Sequence, residues 1–290
     1  MRRFTHFAAL DWSGARGLRQ RGIALAVASG TAAPALVRPA HIWSRADILA
    51  WLEDAATSGA DLLIGFDFSA GFAFADRGAY FPEWNESPAD LRALWALVER
   101  LTAGDPHYEV GGFLAHAEAR RHFRHAQGDV GDLYEPGAGR LRVVERHQRE
   151  TRQAASVSNF NLVGAAQVGK GSLAGMRLLH RLHGLIPFWP LDPVPAKGPL
   201  LVEIYTSLAA RAAGMAPGRS KIRDGAALDA ALAVLGSPPT GIAGPMSDHA
   251  SDALLTAAWL RAIASESGPW SPSPLSDALA ATESWTFGII

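Results

Sequence analysis

The sequence contains no cysteine. That excludes disulfides, thiolate zinc sites and cysteine nucleophiles, and leaves carboxylates, His, Lys, Ser and Thr to carry any chemistry. A formal net charge of -1 removes any global attraction to nucleic acid or membrane, so contact with a polyanion needs a local basic patch. No stretch is apolar enough to span a bilayer. The opening "MRRFTHFAALDWSG" has the two arginines of a signal peptide, but Thr5 and His6 break its apolar run and Asp11 ends it. The expectation is a cytoplasmic protein with no membrane partner. Internal repeats and low-complexity tracts are also missing. What is present, 290 residues with 48% hydrophobic and 19% charged, is ordinary for a soluble globular enzyme and enough for a sizeable core.

Three strands read off the first forty-odd residues: "FAALDWS" ending at Asp11, "GIALAVAS" and "PALVRPAHIW". Gly-rich and Pro-rich turns separate them, as in an antiparallel meander. Ser44 then caps a helix over "RADILAWLEDAA", with Asp47 three residues on. "DLLIGFDFS" is a continuous apolar run ending in Asp67, the pattern of a strand buried on both faces. After a long mixed segment with helices at "SPADLRALWALVERL" and "LAGMRLLHRLHGL", the proline-rich "IPFWPLDPVPAKGP" reads as an extended connector. "LLVEIYTS" has strand composition, "LAARAAG" and "GAALDAALAVLG" are helical, and "SDHASDALLTAAWLRAIA" is a strong final helix.

Five acids stand beside apolar residues at strand ends or helix starts: Asp11, Asp67, Glu203, Asp248 and Asp252. Carboxylates near a core are costly unless paired or metal-bound. If the strands holding Asp11 and Asp67 are parallel neighbours, their ends lie roughly 5 Å apart, close enough to share a divalent cation. Asp248 and Asp252, spaced i,i+4, would complete the site from a helix above. Oxygen ligands without thiols favour magnesium or manganese, and two such ions about 4 Å apart serve phosphodiester cleavage. Each acid also has a plainer account: an Asx turn at Asp11 or Asp67, an exposed strand face at Glu203, a helix-dipole charge at Asp248. Asp252, among Ala and Leu, fits a plain account least.

The order of these elements resembles the ribonuclease-H-like fold, and "DHASDALLTAA" is similar to the closing helix of Holliday-junction resolvases. More closely, "ALDWSGA", "LIGFDFS", "VEIYTS" and "SDHASDALLTAA", in that order, resemble domain of unknown function 429, a family of predicted ribonuclease-H-like nucleases. The resemblance covers the two ends of the chain. It implies one α/β domain over 1–290 with a mixed sheet flanked by helices, its core from 1–67 and 200–265, and a large insertion, 68–199, between the fourth and fifth strands. Asp11 then matches the first-strand acid, Asp67 the fourth-strand acid and Asp252 the helix acid, the three metal ligands, with Glu203 in the later strand. Two departures stand out: Asp where resolvases use Glu on the fourth strand, and the size of the insertion. The implied activity is a magnesium- or manganese-dependent phosphodiesterase or nuclease, assisted by Glu203 or Asp248. Alternatives are an ATP-dependent phosphotransferase of the sugar-kinase and actin group, turning "DWSGARG" at the phosphates, and a non-catalytic binding module.

"GAAQVGKGS" fits the glycine-to-lysine spacing of a P-loop, but Gly171 stands where the magnesium-holding hydroxyl belongs and Ser172 follows one residue late. "SVSNFNLV" before it is no apolar strand. The expectation is a tight loop, with Lys170, and Arg177 beyond it, as candidate phosphate contacts on a nucleic-acid partner. The Arg- and His-rich stretch from His116 to Arg152 reads as a solvated face interleaved with Glu118, Glu145 and Glu150. The pairs His122/His125 and His180/His183 lack a metal-binding context, and Ser13 and Ser69 lack a triad.

Overall fold

A computed structural model describes residues 2–164, 168–216 and 221–290. One six-stranded mixed sheet organises the chain: β1 (His6–Asp11), β2 (Ala24–Ser29), β3 (Ala35–Leu36), β4 (Leu62–Phe66), β5 (Phe188–Trp189) and β6 (Leu200–Glu203), in the spatial order β3-β2-β1-β4-β6-β5. The expected meander is there, with β1, β2 and β3 pairing antiparallel, while β4, β6 and β5 extend the sheet parallel to β1. The third strand is much shorter than "PALVRPAHIW" suggests. The Val37 N–H makes the last bond to β2, donating to the Leu25 carbonyl at 2.8 Å; Arg38 then takes a left-handed backbone (φ 51) and Pro39 has no N–H to donate, so pairing stops there.

Ten helices flank the sheet among the described residues: α1 (Arg45–Ser58), α2 (Leu91–Leu101), α3 (Gly111–Ala115), α4 (Ala117–Arg120), α5 (Val143–Glu150), α6 (Gly169–Leu182), α7 (Thr206–Ala212), α8 (Gly225–Val234), α9 (Asp248–Ile263) and α10 (Asp277–Thr282). Ser44 and Asp47 form the expected capping box of α1. The alternation of β1 fixes the layers: Ala8 and Leu10 face one core with α1, α2 and α6, whereas Phe7 and Ala9 face a second core with α7, α8 and α9. Residues 68–199 therefore supply much of one face of the sheet, and its last part adds β5 at the edge where an extended connector was expected. The tail "WTFGII" closes the other end. Trp285, Phe287 and Ile289 are buried, and the Phe287 N–H donates to the Glu203 carbonyl at 2.8 Å. No helix among the described residues is long and apolar enough to cross a membrane.

Candidate active site

Register places the first two acids together. Leu10 of β1 pairs with Phe66 of β4, and the Asp67 N–H donates to the Leu10 carbonyl at 3.0 Å. Asp11 and Asp67 thus occupy matching positions on adjacent parallel strands, which lie about 4.8 Å apart. Alternation turns both away from the Leu10 and Phe66 core and toward the face covered by α9. From α9, Asp252 completes the group.

The electrostatics show three mutually repelling carboxylates. Burial and the Asp11 charge push Asp67 up to about 8. Burial, Asp11 and Asp248 push Asp252 up to about 7. Asp11 is raised too, by burial, against the lowering effect of His249. Among the described residues no Lys or Arg is ion-paired with any of the three. Their partners are neutral or weakly basic: His249 Nδ1 donates to Asp11 Oδ2 at 2.7 Å, and the Thr206 hydroxyl and N–H donate to Asp67 at 3.0 and 3.3 Å. The donor set, oxygen-only and hard, suits magnesium or manganese. As they stand, Asp11 and Asp67 are held by these protein partners, and among the described residues no three His, Asp or Glu side chains form a cluster arranged to hold a metal.

Asp248 lies apart in character. One turn before Asp252 on α9, it pairs with Lys221 at 2.6 Å and Arg223 at 3.5 Å, and the Lys221 contact holds it down at about 2. It is a salt-bridged helix-start charge, not a free ligand.

Glu203 is a correction. Its register partner is Phe66, not Asp67, so alternation sends its side chain to the opposite face of the sheet. There Arg142 meets it with both terminal nitrogens, at 2.6 and 2.8 Å, while the Thr286 hydroxyl and the Ala70 N–H donate at 2.7 and 2.8 Å. Both oxygens are fully engaged, which leaves no lone pair for a metal. Arg142, itself buried, also binds Glu145 at 2.9 Å. This part of the basic stretch is a buried ion-pair network where a solvated face was expected; Arg140, likewise buried, pairs with Asp76 at 2.7 Å. The expectation does hold nearer its start, where Arg121 pairs on the surface with Glu118 and Asp132.

Arg177 is the second correction. It faces inward from α6, buried, donating to Glu99 at 2.7 Å and to the Glu109 carbonyl at 2.7 Å, so it cannot reach a phosphate. Lys170, in the first turn of α6, is half-buried and has no ion-pair partner among the described residues. No strand leads into α6 among the described residues, as a P-loop requires, and positions 165–167 of "GAAQVGKGS" lie outside them. Instead the loop after β1 packs on this helix start: Trp12 Nε1 donates to the Gly171 carbonyl at 2.9 Å, and a Cβ on Gly14 would collide with the backbone of Lys170 and Gly171.

Two residues that matter here went unread in the sequence. His249, which fixes Asp11, stands i,i+3 from Asp252 in "SDHASD", a spacing that puts both on one helix face. Arg45, buried at the start of α1, donates to the carbonyls of Ser13 at 2.8 Å, Ala15 at 2.6 Å and His107 at 2.9 Å, clamping the loop that follows Asp11. Desolvation, together with the nearby Arg177 charge and against that of Glu109, lowers it to about 10. Nothing in "SRAD" distinguishes it from a surface arginine.

No protein-family model matches the chain, and no curated protein and no solved structure matches it either.

Proposed function

We propose that the protein is a divalent-cation-dependent phosphodiesterase acting on nucleic acid, with a ribonuclease-H-like arrangement of its sheet. The observation that carries this reading is the group Asp11, Asp67 and Asp252. Three carboxylates from β1, the end of β4 and α9 are gathered at one end of one sheet face, with no Lys or Arg among the described residues paired to them. A fold bears that repulsion only where something else offsets it, and a hard cation does so directly. The strand order, an antiparallel meander followed by strands parallel to the first with a helix across them, supports the resemblance drawn from the sequence.

On this reading Asp11, Asp67 and Asp252 hold the cation. A bound magnesium or manganese ion supplies an activated water and neutralises charge building on the phosphate. His249 fixes the Asp11 carboxylate, Thr206 fixes that of Asp67, and Arg45 holds the loop between Asp11 and α6 in place. Lys170 brings a positive charge to the α6 end of the site, where the helix N-terminus also favours anions.

The test is cleavage of single-stranded and duplex DNA and RNA with magnesium or manganese. Asp11→Asn is expected to lower the rate at least a hundredfold. Undiminished cleavage by that variant, or by the wild type in chelator, would end the reading.

A further inference from the structure

Beside the acidic group lies a cleft of about 230 Å³, bounded by Trp12, Phe68, Asn159, Val168, Gly171 and Tyr205, with Asp67 and Ser69 on its wall. At roughly 30 Å³ per water, that is room for seven or eight waters, the scale of one nucleoside and far too small for a duplex. One wall is aromatic, with Trp12 against Phe68 at 5.7 Å between ring centres, and another is the mutually paired Arg142, Glu145 and Glu203 network. The first turn of α6 forms one side, and the leading N–H groups of a helix have no partners within it.

The polar groups lining the cleft point to a ligand. Asn159 is only 3% exposed; its amide nitrogen donates to the Gly71 carbonyl at 3.1 Å, but its amide oxygen is buried with no hydrogen-bond partner. Buried acceptors of that kind cost free energy unless something donates to them. Ser69 and Tyr205, both half-buried, add hydroxyls to the same cleft that have no hydrogen-bond partner among the described residues. An acceptor and two hydroxyls inside, an aromatic wall, and a helix N-terminus at Val168 and Gly171 match the hydroxyl- and amine-bearing sugar and base of a nucleotide with its phosphate at the helix start.

We infer that this cleft is a subsite for a single nucleoside monophosphate unit, Asn159 accepting from its sugar or base and the α6 start receiving its phosphate. The inference rests on the phosphodiesterase reading for its role: the unit held is the end of a strand, set beside Asp67. Its chemistry is shared by a free nucleotide, and binding alone does not depend on that reading.

The experiment is calorimetry on the full chain in chelator, so that no cation intervenes. The probes are the four ribonucleoside 5′-monophosphates, inorganic phosphate and unphosphorylated nucleosides. At least one monophosphate is expected to bind tenfold or more tighter than either inorganic phosphate or its nucleoside. Equal or tighter binding of inorganic phosphate overturns the subsite. Asn159→Leu should abolish the preference. Should that variant not fold, Ser69→Ala and Tyr205→Phe delete only hydroxyls, and each should weaken the nucleotide several-fold while leaving inorganic phosphate unchanged; no change in both overturns the assignment.

Competition then distinguishes the sources. A linear oligonucleotide with a terminal phosphate displacing the nucleotide assigns a strand end, and failure to displace it assigns the free nucleotide. A closed circular strand competing as well as the linear one overturns the single-unit subsite. Nucleotide binding without metal-dependent cleavage of any strand leaves the subsite standing and removes the nuclease reading; cleavage without nucleotide preference does the reverse.

Discussion

The two faces of the sheet treat their carboxylates in opposite ways. On one, Glu203 and Glu145 surround Arg142, and every oxygen of Glu203 meets a donor. On the other, Asp11, Asp67 and Asp252 crowd together, their side-chain partners among the described residues being His249 and Thr206, and all three are pushed toward their protonated forms. A single position in register separates the arrangements, since Glu203 pairs with Phe66 and Asp67 comes one residue later. A closed ion pair has no capacity left for a ligand. An open acidic group has capacity and carries an energetic penalty for it, and that asymmetry separates the paired acids from the unpaired ones here.

The largest effect expected from breaking the comparison is on the closed face. Arg142→Met leaves Glu203 and Glu145 buried and uncompensated, a loss of about 3–5 kcal/mol in unfolding free energy. Urea titration at neutral pH reads it directly. A loss below about 1 kcal/mol would mean that water replaces the guanidinium and that this face is not closed.

The open face should behave in the reverse sense. Asp67 is raised from its ordinary 3.8 to about 8, so the folded protein holds a proton there that the unfolded chain releases. The folded state binds more protons across that window, so stability falls as pH climbs from about 4 to 8. A displacement of one pH unit corresponds to about 1.4 kcal/mol, a few degrees in Tm for a chain this long. Asp67→Asn should flatten the decline and raise Tm at pH 8, while manganese should raise wild-type Tm more at pH 8 than at pH 6 because binding competes with protons. A wild-type Tm that rises through the window, or a manganese effect undiminished in Asp67→Asn, contradicts this picture.

Much of this frame was legible because local chemistry wrote it. The Ser44 and Asp47 capping box, the uniformly apolar β4 and the strong α9 pattern all specify their own elements, and Asp11 and Asp67 follow as the residues that end two strands. Glu203 shows where such reading stops. A strand acid announces itself, but the face it takes depends on its register against β4, and the long connection to β6 does not encode that. Arg142 and Arg140 follow for a related reason: an arginine beside glutamates looks solvated in sequence, and only the layers packed over it make it a buried pair; Arg177, read as a phosphate contact, is turned inward to Glu99 on another helix. Arg45 and His249 are positioning groups whose partners lie on other elements, so their roles emerge only when β1 meets α1 and α9.

The smallest effect, and the sharpest control, lies within α9. Asp248 and Asp252 stand one turn apart, yet Lys221 holds the first at about 2 while burial and Asp11 push the second to about 7. The Lys221 and Arg223 side chains are 68% and 69% exposed, so their pairing with Asp248 is screened by salt and worth little. Asp248→Asn should therefore change stability by less than about 0.5 kcal/mol, with the difference vanishing in 1 M salt and cation binding almost unchanged. Asp252→Asn should leave stability intact or raise it at pH 8 and remove most of the manganese-induced rise in Tm. Measuring both variants by thermal shift with and without manganese separates a helix-start charge from a ligand on one helix, since backbone, exposure to denaturant and helix dipole are shared. Equal losses of the manganese effect in the two would place Asp248 in the site despite its salt bridges; loss in Asp252→Asn alone restricts the cation to the acids of the open face.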